Sequence, residues 1–162
     1  MKAYDLSGIN VLLLEKHVLI RRLISDMFSV FGVPVVHATN SPEAAWEMFR
    51  EYNPDLVLTD WNAEIDGMTL LHRIRLDADT VNPYCPVVVV TANTELRHVC
   101  TARDRGMTEF LAKPVSAKVL YARIVSVIET NRMFVRSSDF FGPDRRRMRN
   151  NQYGGQERRV AT

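Results

Sequence analysis

Four short apolar segments of this chain each lead to a side chain that could take part in chemistry. These side chains are Glu15, Asp60, Thr91 and Lys113. A carboxylate nucleophile that faces a hydroxyl and an ammonium is suited to accept a phosphoryl group, because the carboxylate attacks phosphorus while the cation neutralises charge on the phosphoryl oxygens. A divalent metal normally shares that charge. Considered alone, Asp60 could be a nucleophile, a metal ligand or a helix N-cap, so its role depends on what the fold places beside it.

The apolar segments have the pattern of buried strands that alternate with helices. Leu56 to Thr59 is short, almost continuously apolar and flanked by turn-forming residues, which is typical of a strand buried on both faces. Five such segments are each followed by a helix, and Ser41-Pro42 is a typical helix start. The pattern predicts an α/β fold, a doubly wound five-stranded parallel sheet with helices on both faces. The predicted strands are 9–14, 35–38, 56–59, 87–91 and 108–112, and the predicted helices are 18–31, 42–52, 68–76, 95–105 and 117–131.

Composition and charge divide the chain near residue 131. Residues 1–131 hold 13 Lys and Arg against 16 Asp and Glu, a net charge of −3, whereas residues 132–162 hold 8 Arg and 3 acids, a net charge of +5. The chain has no apolar run near the ~20 residues that span a bilayer and no apolar signal segment at its start. Its two distant cysteines suggest reduced thiols. We therefore expect a cytoplasmic protein with one folded domain, 1–131, and a basic C-terminal arm, 132–162, that is partly disordered.

The residues at the strand ends resemble those of the response-regulator receiver domain, the CheY-like family. Asp60-Trp61-Asn62 is similar to the family's phosphoacceptor and its successors, Thr91-Ala92 to its switch hydroxyl and the small residue that follows, and Lys113-Pro114 to its Lys-Pro pair, which is usually cis. Phe110 stands where the family has a switch aromatic, and Asp66-Gly67 matches the pair that opens the third helix. The resemblance covers residues 8–130 and implies a flavodoxin-like strand order 2-1-3-4-5.

The site departs from the family pattern at two positions. The family has two adjacent acids after the first strand, whereas this chain has Glu15-Lys16. The resemblance implies a Mg²⁺ site formed by Glu15, Asp60 and the backbone carbonyl of Asn62, and the lysine in place of an acid predicts that this site is weak or absent. Lys16 either lies against Asp60 in place of the metal or points to solvent. Glu64 also replaces a proline, in a loop that is one residue shorter than usual.

The resemblance implies a stand-alone response regulator of a two-component phosphorelay, a signalling protein and not an enzyme. Asp60 would take the phosphoryl group from a sensor histidine kinase or phosphotransfer protein, with Thr91 and Lys113 as its partners and Thr91 and Phe110 as the switch. A downstream protein would bind the face of the fourth helix, fifth strand and fifth helix, or the arm. The alternative is a pseudo-receiver, an interaction module that works without phosphorylation or Mg²⁺.

The basic arm leaves several interpretations open. Arg145-Arg146-Arg147 could contact nucleic acid, but such a run is more often a solvated tail, and no recognition helix or stacking platform accompanies it. Phe140-Phe141 makes docking onto a protein groove, or back onto the domain, comparably plausible. We therefore do not expect nucleic acid as the main partner.

Overall fold

Ten helices and strands alternate along the domain, and a short hairpin follows them. The structure is a computed structural model that describes residues 3–130 and 132–145. The strands of the domain are β1 (Asn10–Leu14), β2 (Val35–Thr39), β3 (Leu56–Asp60), β4 (Val87–Thr91) and β5 (Glu109–Ala112). The helices are α1 (Val18–Val30), α2 (Pro42–Tyr52), α3 (Gly67–Leu76), α4 (Leu96–Asp104) and α5 (Ala117–Glu129). The hairpin consists of β6 (Phe134–Arg136) and β7 (Phe141–Pro143).

The sheet has the predicted parallel order, β2-β1-β3-β4-β5. Its register aligns the carboxyl ends of neighbouring strands, since Leu14 pairs with Thr59, Asp60 with Val90, and Thr91 with Ala112. Every residue of β3 and β4 is buried, as expected for strands covered on both faces. The predicted doubly wound fold is confirmed, and the alignment gathers the strand-end side chains at one edge.

Local sequence sets where the helices begin. The Ser41 hydroxyl accepts from the backbone N–H of Ala44 and Pro42 is the first residue of α2, while the Ser116 hydroxyl accepts from the N–H of Val119 at the start of α5. The helices pack two apolar layers against the sheet, one around Trp46 and Phe49 and the other around Ile24 and Phe28. No helix in the described part of the chain is long and apolar enough to cross a membrane.

Helical periodicity overstated how much of the last helix is buried. The helical spacing predicts that Val119, Leu120, Ile124, Val127 and Ile128 face the core, but Val119 and Ile128 are 43% and 45% exposed. Leu120 and Ile124 are the residues of α5 that are fully buried. A helix that packs on one side of a sheet buries a narrow stripe, so residues at the margin of the apolar face remain partly in water.

The first residues of the basic arm form a hairpin that packs on the domain. The irregular sequence did not predict the hairpin, although docking of Phe140-Phe141 back onto the domain was one of the interpretations it left open. β6 and β7 pair antiparallel, with Phe134 opposite Pro143. The rings of Phe134 and Phe141 lie 5.3 Å apart, and each also packs against Tyr84 in the loop before β4. Gly142 approaches Gly106 so closely that a Cβ on Gly142 would lie 2.7 Å from the Gly106 Cα. Residues 146–162 of the arm lie outside the described residues, so the partial disorder expected of the arm, 132–162, stays a prediction.

A buried arginine links this hairpin to the sheet. Arg75 is 2% exposed and donates hydrogen bonds to the carbonyls of Pro83, Cys85 and Gly106. The ring of Phe134 lies 5.2 Å from its guanidinium carbon, within cation–π range. Burial lowers the pKa of Arg75 to about 10. The hairpin therefore covers the Arg75 guanidinium, whose hydrogen bonds hold the segments that lead into β4 and β5.

Candidate functional site

Asp60 ends β3 and is one of the two buried acids of the site. It is 1% exposed. Its two carboxylate oxygens have different partners: Oδ1 accepts from the Lys113 ammonium at 3.0 Å, and Oδ2 accepts from the Asn62 side-chain amide at 2.7 Å. A cleft of about 590 Å³ reaches Asp60 from the surface, and Ile20, Ala92 and Pro114 are among the residues that line it. The carboxylate is thus held in a fixed orientation at the base of an open cleft.

Lys113 joins the two buried acids of the site. Its Nζ lies 2.8 Å from Glu15 Oε2 and 3.0 Å from Asp60 Oδ1, and both carboxylates are 1% exposed. The other Glu15 oxygen, Oε1, accepts from the backbone N–H of His17 at 2.8 Å. The Lys113–Pro114 peptide bond is cis, as the resemblance implied. The fold therefore brings together Glu15, Asp60 and Lys113, which come from three different strand ends.

Burial dominates the electrostatics of Asp60. Removal of water raises the pKa of the Asp60 carboxyl, and the nearby Glu15 carboxylate raises it further. The hydrogen bond from Lys113 and the charge of that ammonium lower the pKa, but the net shift is upward. An acid that is perturbed by desolvation and a specific cationic partner, at the base of a cleft, is the combination found at functional sites.

Thr91 ends β4 at the same edge as Asp60, whereas Phe110 lies within β5, and the Thr91 hydroxyl bonds to backbone groups instead of the Asp60 carboxylate. The Thr91 hydroxyl donates to the Trp61 carbonyl at 2.7 Å and accepts from the N–H of Asn93 at 3.0 Å. Phe110 is partly buried and packs with Trp61 against the core layer that covers this face of the sheet. Both residues are where the sequence predicted them, and their function as a switch stays a prediction.

Lys16 follows neither of the two arrangements expected from the sequence. Its ammonium forms an ion pair with the Glu64 carboxylate, and the two side chains are 41% and 57% exposed. It therefore neither lies against Asp60 as a substitute for the metal nor points freely into water. The two departures from the family pattern, Lys16 and Glu64, are partners of each other, because the end of β1 and the loop after β3 face each other across the cleft.

The side chain of Asn62 has a role that sequence reasoning missed. We considered only its backbone carbonyl, as a metal ligand, but its Oδ1 accepts from the backbone N–H groups of Glu64 and Ile65 at 2.8 and 3.0 Å while its amide donates to Asp60. An asparagine side chain that accepts from backbone N–H groups two or three residues further on is a known feature of turns, so the sequence did contain a signal for this role. Asp66 accepts from the backbone N–H of Met68 and is the N-cap of α3.

The side chains present do not fit Mg²⁺. Magnesium takes oxygen ligands in a near-octahedral arrangement, commonly one or two carboxylates together with several waters. Here both Asp60 oxygens and both Glu15 oxygens face N–H donors or the Lys113 ammonium. Lys16 supplies a second ammonium where an acid was expected. Within the described residues, no group of three or more His, Cys, Asp or Glu side chains is arranged to hold a metal.

Comparison with known proteins places this geometry in a family. The family model of the response regulator receiver domain matches residues 11–125. Chemotaxis protein CheY of Pseudomonas aeruginosa is 28% identical over 120 residues, which cover 74% of this chain and 95% of that protein. The probable transcriptional regulator ycf27 of Porphyridium aerugineum is 29% identical over 119 residues, 73% of this chain, and the chain spans only 47% of that relative's length.

Solved structures agree on the fold. Chemotaxis protein CheY4 of Vibrio cholerae superimposes with a TM-score of 0.67 at 19% identity, covering 74% of this chain and 98% of that one. The strand order and the family model point the same way. The chain therefore belongs to the response regulator receiver domain family, whose members are signalling domains of two-component systems.

Proposed function

We propose that this protein is a response regulator that accepts a phosphoryl group on Asp60. The observation that supports this most strongly is the buried assembly of Asp60, Lys113 and Glu15 at the base of a cleft. An Asp60 oxygen attacks the phosphorus of a phosphohistidine, a P–O bond forms as the P–N bond breaks, and the leaving imidazole takes a proton from water. Lys113, already beside Oδ1, neutralises the charge on the transferred group.

The phosphodonor in this proposal is a sensor histidine kinase or a phosphotransfer protein, and output passes through protein contacts. The helices α4 and α5 support this because they carry exposed apolar side chains, including Leu96, Val119 and Ile128. The hairpin offers a second surface. Its described arginines are engaged within the molecule: Arg136 stacks on Phe141, and Arg145 pairs with Asp104. This supports protein contact over nucleic-acid contact for residues 132–145.

A phosphorylation assay tests the acceptor. Incubation with a small phosphodonor such as acetyl phosphate, followed by intact mass measurement, should add one phosphoryl group to the wild type and none to Asp60→Asn. Asp55→Asn is the matched control, because Asp55 lies just before the other end of β3, where it accepts a hydrogen bond from Asn10. Labelling of Asp60→Asn, or loss of labelling in Asp55→Asn alone, would contradict the assignment.

A pseudo-receiver that never takes a phosphoryl group is the second candidate. It is favoured by the commitment of the Thr91 hydroxyl to the Trp61 carbonyl and by the Lys16–Glu64 pair at the mouth of the cleft. Failure to detect an adduct on the wild type, with or without Mg²⁺ and with an excess of phosphodonor, would support it.

A further inference from the structure

Lys16 and Glu64 form one unit at the mouth of the Asp60 cleft, which we call the mouth pair. Lys16 directly follows Glu15, whose carboxylate meets Lys113. Glu64 lies in the loop after β3, two residues beyond Asn62, whose amide binds Asp60. Glu64 lines the cleft and Lys16 directly precedes His17, which also lines it, so the mouth pair links the two segments at the entrance of the cleft.

Backbone contacts hold the Glu64 side of the mouth pair. The Asn62 side chain accepts from the N–H groups of Glu64 and Ile65, and the Asn62 N–H donates to the Ile65 carbonyl at 3.1 Å. The Ile65 side chain is 3% exposed and packs into the core layer around Trp46. The tight turn thus fixes Glu64 at the rim of the cleft although its own side chain is exposed.

The Lys16 side is held in the same way. The Arg21 guanidinium, on α1, donates to the carbonyls of Glu15 and Lys16 at 2.8 and 3.2 Å. These bonds fix the backbone just after β1. Both partners of the mouth pair therefore start from backbone that hydrogen bonds hold in place, which lowers the entropic cost of bringing the two exposed side chains together.

We propose that the mouth pair excludes divalent cations from the Asp60 site, so that Lys113 and not a metal ion balances the acceptor carboxylate. Three carboxylates, Glu15, Asp60 and Glu64, face two ammonium groups, Lys113 and Lys16, which leaves a net charge of −1. A dication that approaches Asp60 meets the Lys16 ammonium and must displace Lys113 from both buried acids. This inference rests on the proposed function, because the charge that is balanced is that of Asp60, the proposed phosphoacceptor.

Mg²⁺ titration of the unphosphorylated protein tests the inference, with Trp61 fluorescence and calorimetry as readouts. Trp61 is next to Asp60, so its emission reports on binding there. We expect no saturable response from the wild type at millimolar Mg²⁺. Lys16→Asp removes the mouth pair and brings the net charge to −3, and its Mg²⁺ affinity should exceed that of the wild type by at least about tenfold. Lys16→Gln, with a net charge of −2, should give an intermediate response.

Two further variants separate the mouth pair from charge alone. Arg50→Asp makes the same change of charge at a residue of matched exposure, 43%, paired with Glu47 on α2; it should leave the wild-type response unchanged. The exchange Lys16→Glu with Glu64→Lys keeps an ion pair and should also behave as the wild type. Each variant is first checked by circular dichroism, and Lys16→Gln carries the test if Lys16→Asp does not fold.

Opposite results would overturn the inference. Saturable Mg²⁺ binding by the wild type would do so, as would failure of folded Lys16→Asp and Lys16→Gln to gain affinity. Because the titration needs no phosphodonor, these results leave the phosphorylation assay unaffected. A wild type that takes no phosphoryl group would refute the proposed function without changing the metal result.

Discussion

Replacement of Lys113 by glutamine removes the ammonium that joins two buried carboxylates. Lys113 Nζ lies 2.8 Å from Glu15 and 3.0 Å from Asp60, and its side chain is 13% exposed. At an effective dielectric constant of about 20, each attraction is worth about 6 kcal/mol, and the desolvation of the charges offsets much of it. Removal of one partner from a buried ion pair typically costs about 3–5 kcal/mol, and we expect a loss of that size in the free energy of unfolding at neutral pH.

The loss should depend on pH. Burial raises the pKa of Asp60 in the folded state, so between the unfolded and folded pKa values the folded protein binds more protons than the unfolded chain. Stability therefore falls as pH rises through that window. Without Lys113 the pKa of Asp60 rises further and the window extends upward. The destabilisation by Lys113→Gln should consequently be larger at neutral pH than at about pH 5.

Urea unfolding followed by tryptophan fluorescence measures this effect. Lys118→Gln, at an exposed position of α5, should change the free energy of unfolding by less than about 0.5 kcal/mol. In an Asp60→Asn background the cost of Lys113→Gln should shrink by about 0.5–3 kcal/mol, the usual coupling between residues in contact. A loss near that of Lys118→Gln, or an equal loss at both pH values, would refute the view that Lys113 compensates two buried charges.

Two other features of the structure lead to direct tests. Gly142→Ala should lower the free energy of unfolding by about 1–3 kcal/mol, because the added Cβ would lie 2.7 Å from the Cα of Gly106. Gly8→Ala is the control and should have little effect, because Gly8 lies in open space. Equal melting temperatures of the two variants would mean that the hairpin does not pack as described. Cys85 is buried, and burial raises the pKa of its thiol to about 12. A thiol reagent should therefore modify the partly exposed Cys100 in the native protein and reach Cys85 only on unfolding. Modification of both cysteines at equal rates would contradict this burial.

The domain was predictable from sequence because its signals are local. Five apolar runs and the helix starts at Ser41 and Ser116 predicted every strand and helix of the sheet domain to within about three residues. The hairpin was not predictable in this way. Its strands have three residues each, too few to show a period, and Phe141 and Gly142 are buried because they meet Tyr84 and Gly106, which are distant in the chain.

The candidate site, like the fold, was predictable from the sequence only in part. By itself, the sequence determined that Glu15, Asp60 and Lys113 meet, because parallel strands end at one edge of the sheet. Only the tertiary structure decided the partner of each side chain: Lys113 between two acids, and Lys16 on Glu64 instead of Asp60. The end of a strand determines where the backbone of a residue lies at the edge of the sheet. The direction of a long charged side chain depends instead on which opposite charge the neighbouring loop brings within reach.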